Sequence, residues 1–142
     1  MSYATLAGLT LRYGSDLLLQ ITDRATPPAG AINETVVERA LADADAAIDA
    51  ALAVRYRLPL EAVPAIVVDL AEAIAIYKAH RYSPEQKIKD DYDQALRDLR
   101  EIGSGAKKLD VAGVEPTSSG AGGVVATDRE RPLTPETMTG FI

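Results

Sequence analysis

The chain has 142 residues, enough for one domain with a modest core, and its 47% hydrophobic content is ordinary for a globular protein. It contains no cysteine, which excludes disulfides, thiolate metal sites and a cysteine nucleophile. Its net charge of −6, from 15 basic and 21 acidic side chains, is the opposite of the balance a phosphate-gripping protein needs and argues against direct nucleic-acid binding.

The N-terminal stretch MSYATLAGLTLRYG has no basic region followed by an apolar one, so it does not read as a signal peptide. No segment reaches the roughly 18 uninterrupted apolar residues of a membrane span. The expectation is a soluble protein made in the cytoplasm. Only 5% of residues are aromatic, so the core must be built mainly from Ala, Leu, Ile and Val.

Residues 5–13 place Leu6, Leu9 and Tyr13 on one helical face, with Ser2 or Thr5 as cap and Gly14 as stop. A second short helix is expected over 15–21, capped by Ser15. Residues 22–30 form a loop that Pro27 and Pro28 keep extended.

The third segment is the most informative. Asn33 is a credible N-cap, and Val37, Ala40, Leu41, Ala44, Ile48, Ala51 and Leu52 recur at spacings of three and four, one face of a helix of about 22 residues. Asp43, Asp45 and Asp49 lie off that face and are expected to be solvated; no histidine accompanies them, and no calcium-loop spacing is present. Ala40, Ala44, Ala47 and Ala51 make a narrow surface that a neighbouring helix can approach closely. The helix runs into an Arg-Tyr-Arg-Leu-Pro-Leu corner, where Leu58-Pro59 is expected to stop it.

A fourth helix is expected from Pro64, as a first-turn residue, to about His80. It is apolar on most sides, with Ile66, Leu70, Ala73, Ile74 and Tyr77 on one face and Val67, Ala71 and Ala75 on another, which places it centrally in a bundle. A fifth opens at Ser83, a cap, followed by Pro84 in the first turn and Gln86 where a capping box needs it. Ile88, Tyr92, Ala95, Leu96, Leu99 and Ile102 face inward, and Gly103 and Gly105 end it. The fold class is therefore all-α: a small bundle of four to five helices over residues 1–109. Residues 110–142, rich in Gly and Pro, form an extended arm in which 111–114 and 124–127 are candidate short strands.

Chemistry has little to work with. His80 is the only histidine and sits at a helix C-terminus, where a capping or surface role is expected. No nucleophile-elbow sequence is present, and Gly103 to Lys108 lacks the spacing of a phosphate loop. No catalytic, cofactor or metal site is expected. A helix-turn-helix reader around residues 58–64 would carry almost no base-reading side chains before Lys78. Arg55, Tyr56 and Arg57 have two readings: cations against a helix dipole with the Tyr56 ring packed on the bundle, or an intersubunit contact. In the arm, Arg131, Leu133, Met138, Phe141 and Ile142 are candidate interface residues, because an apolar tip on a polar arm costs solubility unless it docks.

In combination these features resemble the small virion proteins of Mu-like phages and prophages described as head–tail adaptors or connectors. The matching stretches are MSYATLAGLTLRYGSDLLLQITD, ALADADAAIDAALAVRYRLPL, the Pro64 helix with Asp69, Ala73 and Tyr77, DYDQALRDLREIGSGAKKL and the closing RPLTPETMTGFI; residues 110–128 match least. The resemblance implies a non-enzymatic virion protein in the phage neck, forming a ring of about twelve copies beneath the portal and presenting a docking face to the tail or a stopper protein. It also implies a channel through which DNA passes without specific binding, and acidic side chains facing that channel would let DNA slide. The alternative is an oligomeric helical DNA-packaging or regulatory protein that binds nucleic acid.

Overall fold

The computed structural model describes residues 1–111, and the arm's candidate strands and its interface residues Arg131, Leu133, Met138, Phe141 and Ile142 lie outside them. Five helices follow in order: α1 (Leu6–Tyr13), α2 (Ser15–Thr22), α3 (Glu34–Leu52), α4 (Ala65–Ala79) and α5 (Gln86–Ser104). Among the described residues there is no strand, and the all-α expectation holds.

Helix α4 is the axis. Val67, Leu70, Ala71, Ala73, Ile74, Ala75, Ile76 and Ala79 are all buried, on every side of the helix. Helices α3 and α5 both pack against it and against each other, while the short α1–α2 pair lies against α3, with α1 also reaching α4. Burying a side chain such as Ile74, which is fully enclosed, contributes about 1.5–3 kcal/mol over leaving it in water. Helix α3 offers α4 the stripe Val37, Ala40, Ala44, Ile48 and Leu52 at helical spacing. Helix α5 offers Ile88, Ala95, Leu99 and Ile102 and keeps its charges outward. Tyr77 of α4 and Tyr92 of α5 stack with ring centroids 3.9 Å apart, 5° from parallel.

The helix ends differ from expectation in ways that have local causes. At α1, Thr5 is the N-cap and its hydroxyl accepts from the Gly8 N–H. At α2 the cap position is Gly14, with φ +87°, so Ser15 is the first helical residue rather than the cap. At α3, Asn33 Oδ1 accepts from the Val36 N–H, as its residue type predicts. That helix has 19 residues and ends at Leu52, six residues before the Leu58-Pro59 bond. The Arg55 and Tyr56 N–H groups both fold back onto the Leu52 carbonyl, and this turn, driven by insertion of Tyr56 into the core, stops the helix before the proline is reached. Pro64 is the extended N-cap of α4, not a first-turn residue. No capping box forms at α5: Glu85 is the cap and the Gln86 side chain donates to Asp90 instead. Gly105 closes α5 in the left-handed region at φ +84°, as its glycine predicts.

The 22–30 loop is organised by one side chain. The Asp23 carboxylate accepts N–H bonds from Gly30, Ala29 and Ala25, and these donors hold its pKa below the usual carboxylate value.

Candidate interaction surfaces

Two of the three α3 aspartates are not simply solvated. Asp43 is exposed, but Asp45 and Asp49 are half-buried under the N-terminal segment. The Tyr3 N–H donates to Asp45 Oδ1 at 2.9 Å, and the Tyr3 hydroxyl donates to Asp49 Oδ1. Tyr3 is itself buried; that burial, then the bond to Asp49 and the negative charge beside it, push its hydroxyl pKa well above the ordinary tyrosine value. The i, i+4 spacing on α3 thus serves to pin the chain's first residues to the bundle. Among the described residues no three His, Asp or Glu side chains converge on a point, and no helix is long and apolar enough to cross a membrane.

The corner after α3 divides its three marked residues. Tyr56 is 4% exposed, and its hydroxyl accepts from the Leu109 N–H at 3.0 Å, tying the end of α3 to the segment beyond α5. Its ring works inside the subunit. Arg55 Nη1 reaches the Ser104 carbonyl and its guanidinium covers Gly105, where a Cβ would collide with it. Arg57 is exposed and is the member of the trio whose side chain a partner can meet.

A basic groove at the opposite end of α4 was not legible from the net charge. Arg24, Arg39, Lys78, His80 and Arg81 line a groove of about 400 Å³, with Asp43 the one carboxylate among its lining residues. Their convergence follows from the α4 C-terminus, whose carbonyls favour cations. Arg24 donates to the Ala79 carbonyl at 2.9 Å, and His80 Nδ1 lies 2.7 Å from the Ile76 carbonyl, so Nδ1 carries the proton and the ring caps the helix as expected of it. Arg39, Lys78 and Arg81 form no ion pair with any carboxylate among the described residues. By contrast Arg12 pairs with Asp69 and Glu72, Lys87 with Asp91, and Lys107 with Asp98. The cationic members come from three places in the sequence, Arg24, Arg39 and residues 78–81, which is why no single run of charge announces them.

The third surface is an apolar groove of about 350 Å³ between α3 and α5, lined by Ala47, Ala51, Val54, Leu96, Leu99, Arg100 and Gly103. The alanine stripe of α3 is therefore divided: Ala40 and Ala44 are buried in the subunit core, while Ala47 and Ala51 open onto this groove.

Comparison with known proteins gives this arrangement a family. The family described as Bacteriophage Mu, Gp36 matches residues 3–127. The chain belongs to the phage Mu Gp36 family. It is 31% identical over 140 residues to the Mu-like prophage FluMu protein gp36 of Haemophilus influenzae, covering 99% of this chain and 98% of the relative. It is 30% identical over 142 residues to Gene product J of Escherichia phage Mu, covering the whole of both. The Gp36 match takes in all five helices, the basic groove and the apolar groove. The resemblance to Mu-like phage proteins drawn from the sequence is thus correct at the level of the family.

Proposed function

We propose that this Gp36-family chain is a structural protein of the phage particle: a head–tail adaptor whose copies close into a ring beneath the portal and join the DNA-filled head to the tail. The observation that carries the reading is a basic groove on an acidic subunit. Arg39, Lys78 and Arg81, which form no ion pair among the described residues, gather at the α4 C-terminal groove, while the exposed carboxylates Glu61, Glu85, Asp90 and Glu101 lie elsewhere on the surface, among exposed cations such as Lys87, Lys89 and Arg100. A cationic groove that can meet the surplus carboxylates of a neighbouring copy suits a head-to-tail contact, and such contacts close into rings when the rotation permits. Twelve copies would match the portal, with the tail or a stopper protein docking on the free face and DNA passing through the channel. The one imidazole of the chain is engaged in capping a helix, which supports a non-enzymatic role.

The same groove gives the DNA-binding alternative its one point of support, since cations that converge at a helix end also suit phosphate. The double reversal Arg39→Glu with Arg81→Glu separates the two. Both side chains are exposed, so folding stability should change by no more than about 0.5 kcal/mol. The adaptor reading expects the variant to lose co-sedimentation with portal-bearing heads. Duplex DNA binding by the unaltered protein with a steep salt slope, and intact head binding by the variant, would instead establish the nucleic-acid reading.

A further inference from the structure

Leu11 is 90% exposed, the barest large apolar side chain among the described residues, and Ala7, one turn earlier on α1, is exposed as well. A single exposed leucine needs no explanation of its own. What distinguishes this one is its setting. Arg12, the next residue, pairs with Asp69 and Glu72 of α4, and Asp16 is exposed in the first turn of α2, so this stretch gathers three carboxylates and one cation. The C-terminal end of α4 has the reverse character. A cleft of about 250 Å³ there has Ile21, Arg24, His80, Arg81 and Tyr82 among its lining residues, and it shares Arg24, His80 and Arg81 with the basic groove. Its carboxylate, Asp23, is spent on three loop N–H groups. Tyr82 is 78% exposed, and the Arg81 guanidinium lies 5.6 Å over its ring. Ile21, that ring and the arginine stems give the cleft apolar surface and cationic heads together.

We propose that Leu11 of one copy seats in the Ile21–Tyr82 cleft of a second copy, with Asp16 and Asp69 of the first opposite Arg24 and Arg81 of the second. The inference rests on the head-to-tail reading above and names the two surfaces that it brings together. Arg12 ties Leu11 to the Asp69 end of α4, whereas the cleft lies at the Ala79 end, about 15 Å further along the helix. Knob and cleft are therefore too far apart to meet within one subunit. Unlike surfaces displaced along one axis give a heterologous contact, in which each copy offers its knob to one neighbour and its cleft to the other. Seating removes the Leu11 side chain and the Tyr82 ring from water, and an exposed Tyr beside an Arg is the chemistry that anchors such contacts. The opposed charges fix the orientation and speed the encounter. The Asp69 side chain is 63% exposed, so its pairing with Arg12 leaves it accessible to a second cation.

The chain has no cysteine of its own, so engineered thiols report without background. Ala7→Cys and Ser83→Cys, both at exposed positions that leave Leu11 and Tyr82 in place, are made on separate full-length chains. The two are mixed at high concentration and joined with a short bis-maleimide, and the linked pairs are told apart by mass. The product joining position 7 to position 83 should form several-fold faster than the one joining two copies at position 7. It should also outpace the product formed when Val54→Cys, at another exposed position, replaces Ser83→Cys. Its rate should fall several-fold when Leu11→Asp is added to the first chain or Arg81→Glu to the second. A faster product between two position 7 thiols would assign α1 to a two-fold contact and overturn the proposal. Equal rates at positions 54 and 83, no effect of Leu11→Asp, or no linked product would overturn it as well. Linking is read on free subunits and head binding by co-sedimentation. A cleft that fails here therefore leaves the adaptor reading standing, and an adaptor reading that fails there leaves the cleft to this result.

Discussion

At the scale of single residues, Tyr3 is the side chain whose role is least evident from its neighbours in sequence. It is buried next to the N-terminus, and both its backbone N–H and its hydroxyl are spent on carboxylates of α3 more than forty residues away. A hydrogen bond to a charged acceptor contributes about 1.5–3 kcal/mol. Tyr3→Phe should therefore destabilise the protein by about that amount, read as a lower urea midpoint at unchanged slope. A change below about 0.5 kcal/mol would mean that the Asp49 contact contributes nothing net. Periodicity correctly places Asp45 and Asp49 off the core stripe of α3; what it cannot supply is that an aromatic residue from the far end of the chain covers that face. Tyr56 shows the same asymmetry. Its type allowed both a packed and an exposed role, and its bond to Leu109 decides for the packed one.

At the scale of elements, apolar spacing was a sufficient guide to existence and a poor one to ends. Helix α4 reads as central because it is apolar all round, and the structure buries it all round. The ends of α3, α4 and α5 depend on competition. Tyr56 inserting into the core stops α3 before Pro59, and Gln86 prefers Asp90 to a reciprocal cap. The alanine stripe of α3 is a case where one pattern carries two roles. Ala44 is fully buried, so Ala44→Leu should cost about 1–3 kcal/mol through overpacking. Ala47 faces the open groove, and Ala47→Leu should stay within about 0.5 kcal/mol of the parent. Thermal or urea unfolding of the two variants checks the division; equal losses would show that the stripe is buried along its whole length.

At the scale of the whole molecule, the candidate interaction surfaces are the part the sequence conceals. A net charge of −6 describes an average, whereas Arg24, Arg39, Lys78 and Arg81 meet only after α2, α3 and α4 have packed. Family membership was legible because the resemblance runs along most of the chain, and the match to the relatives likewise extends over 140 and 142 residues at 31% and 30% identity. A role in joining heads to tails is a property of assembled particles, so its decisive test is genetic. A nonsense mutation in the gene for this chain, in the phage that carries it, should leave DNA-filled heads and complete tails accumulating side by side, unjoined and rejoined in extract only when the purified protein is added. Infectious, tailed particles that lack the protein would contradict the account.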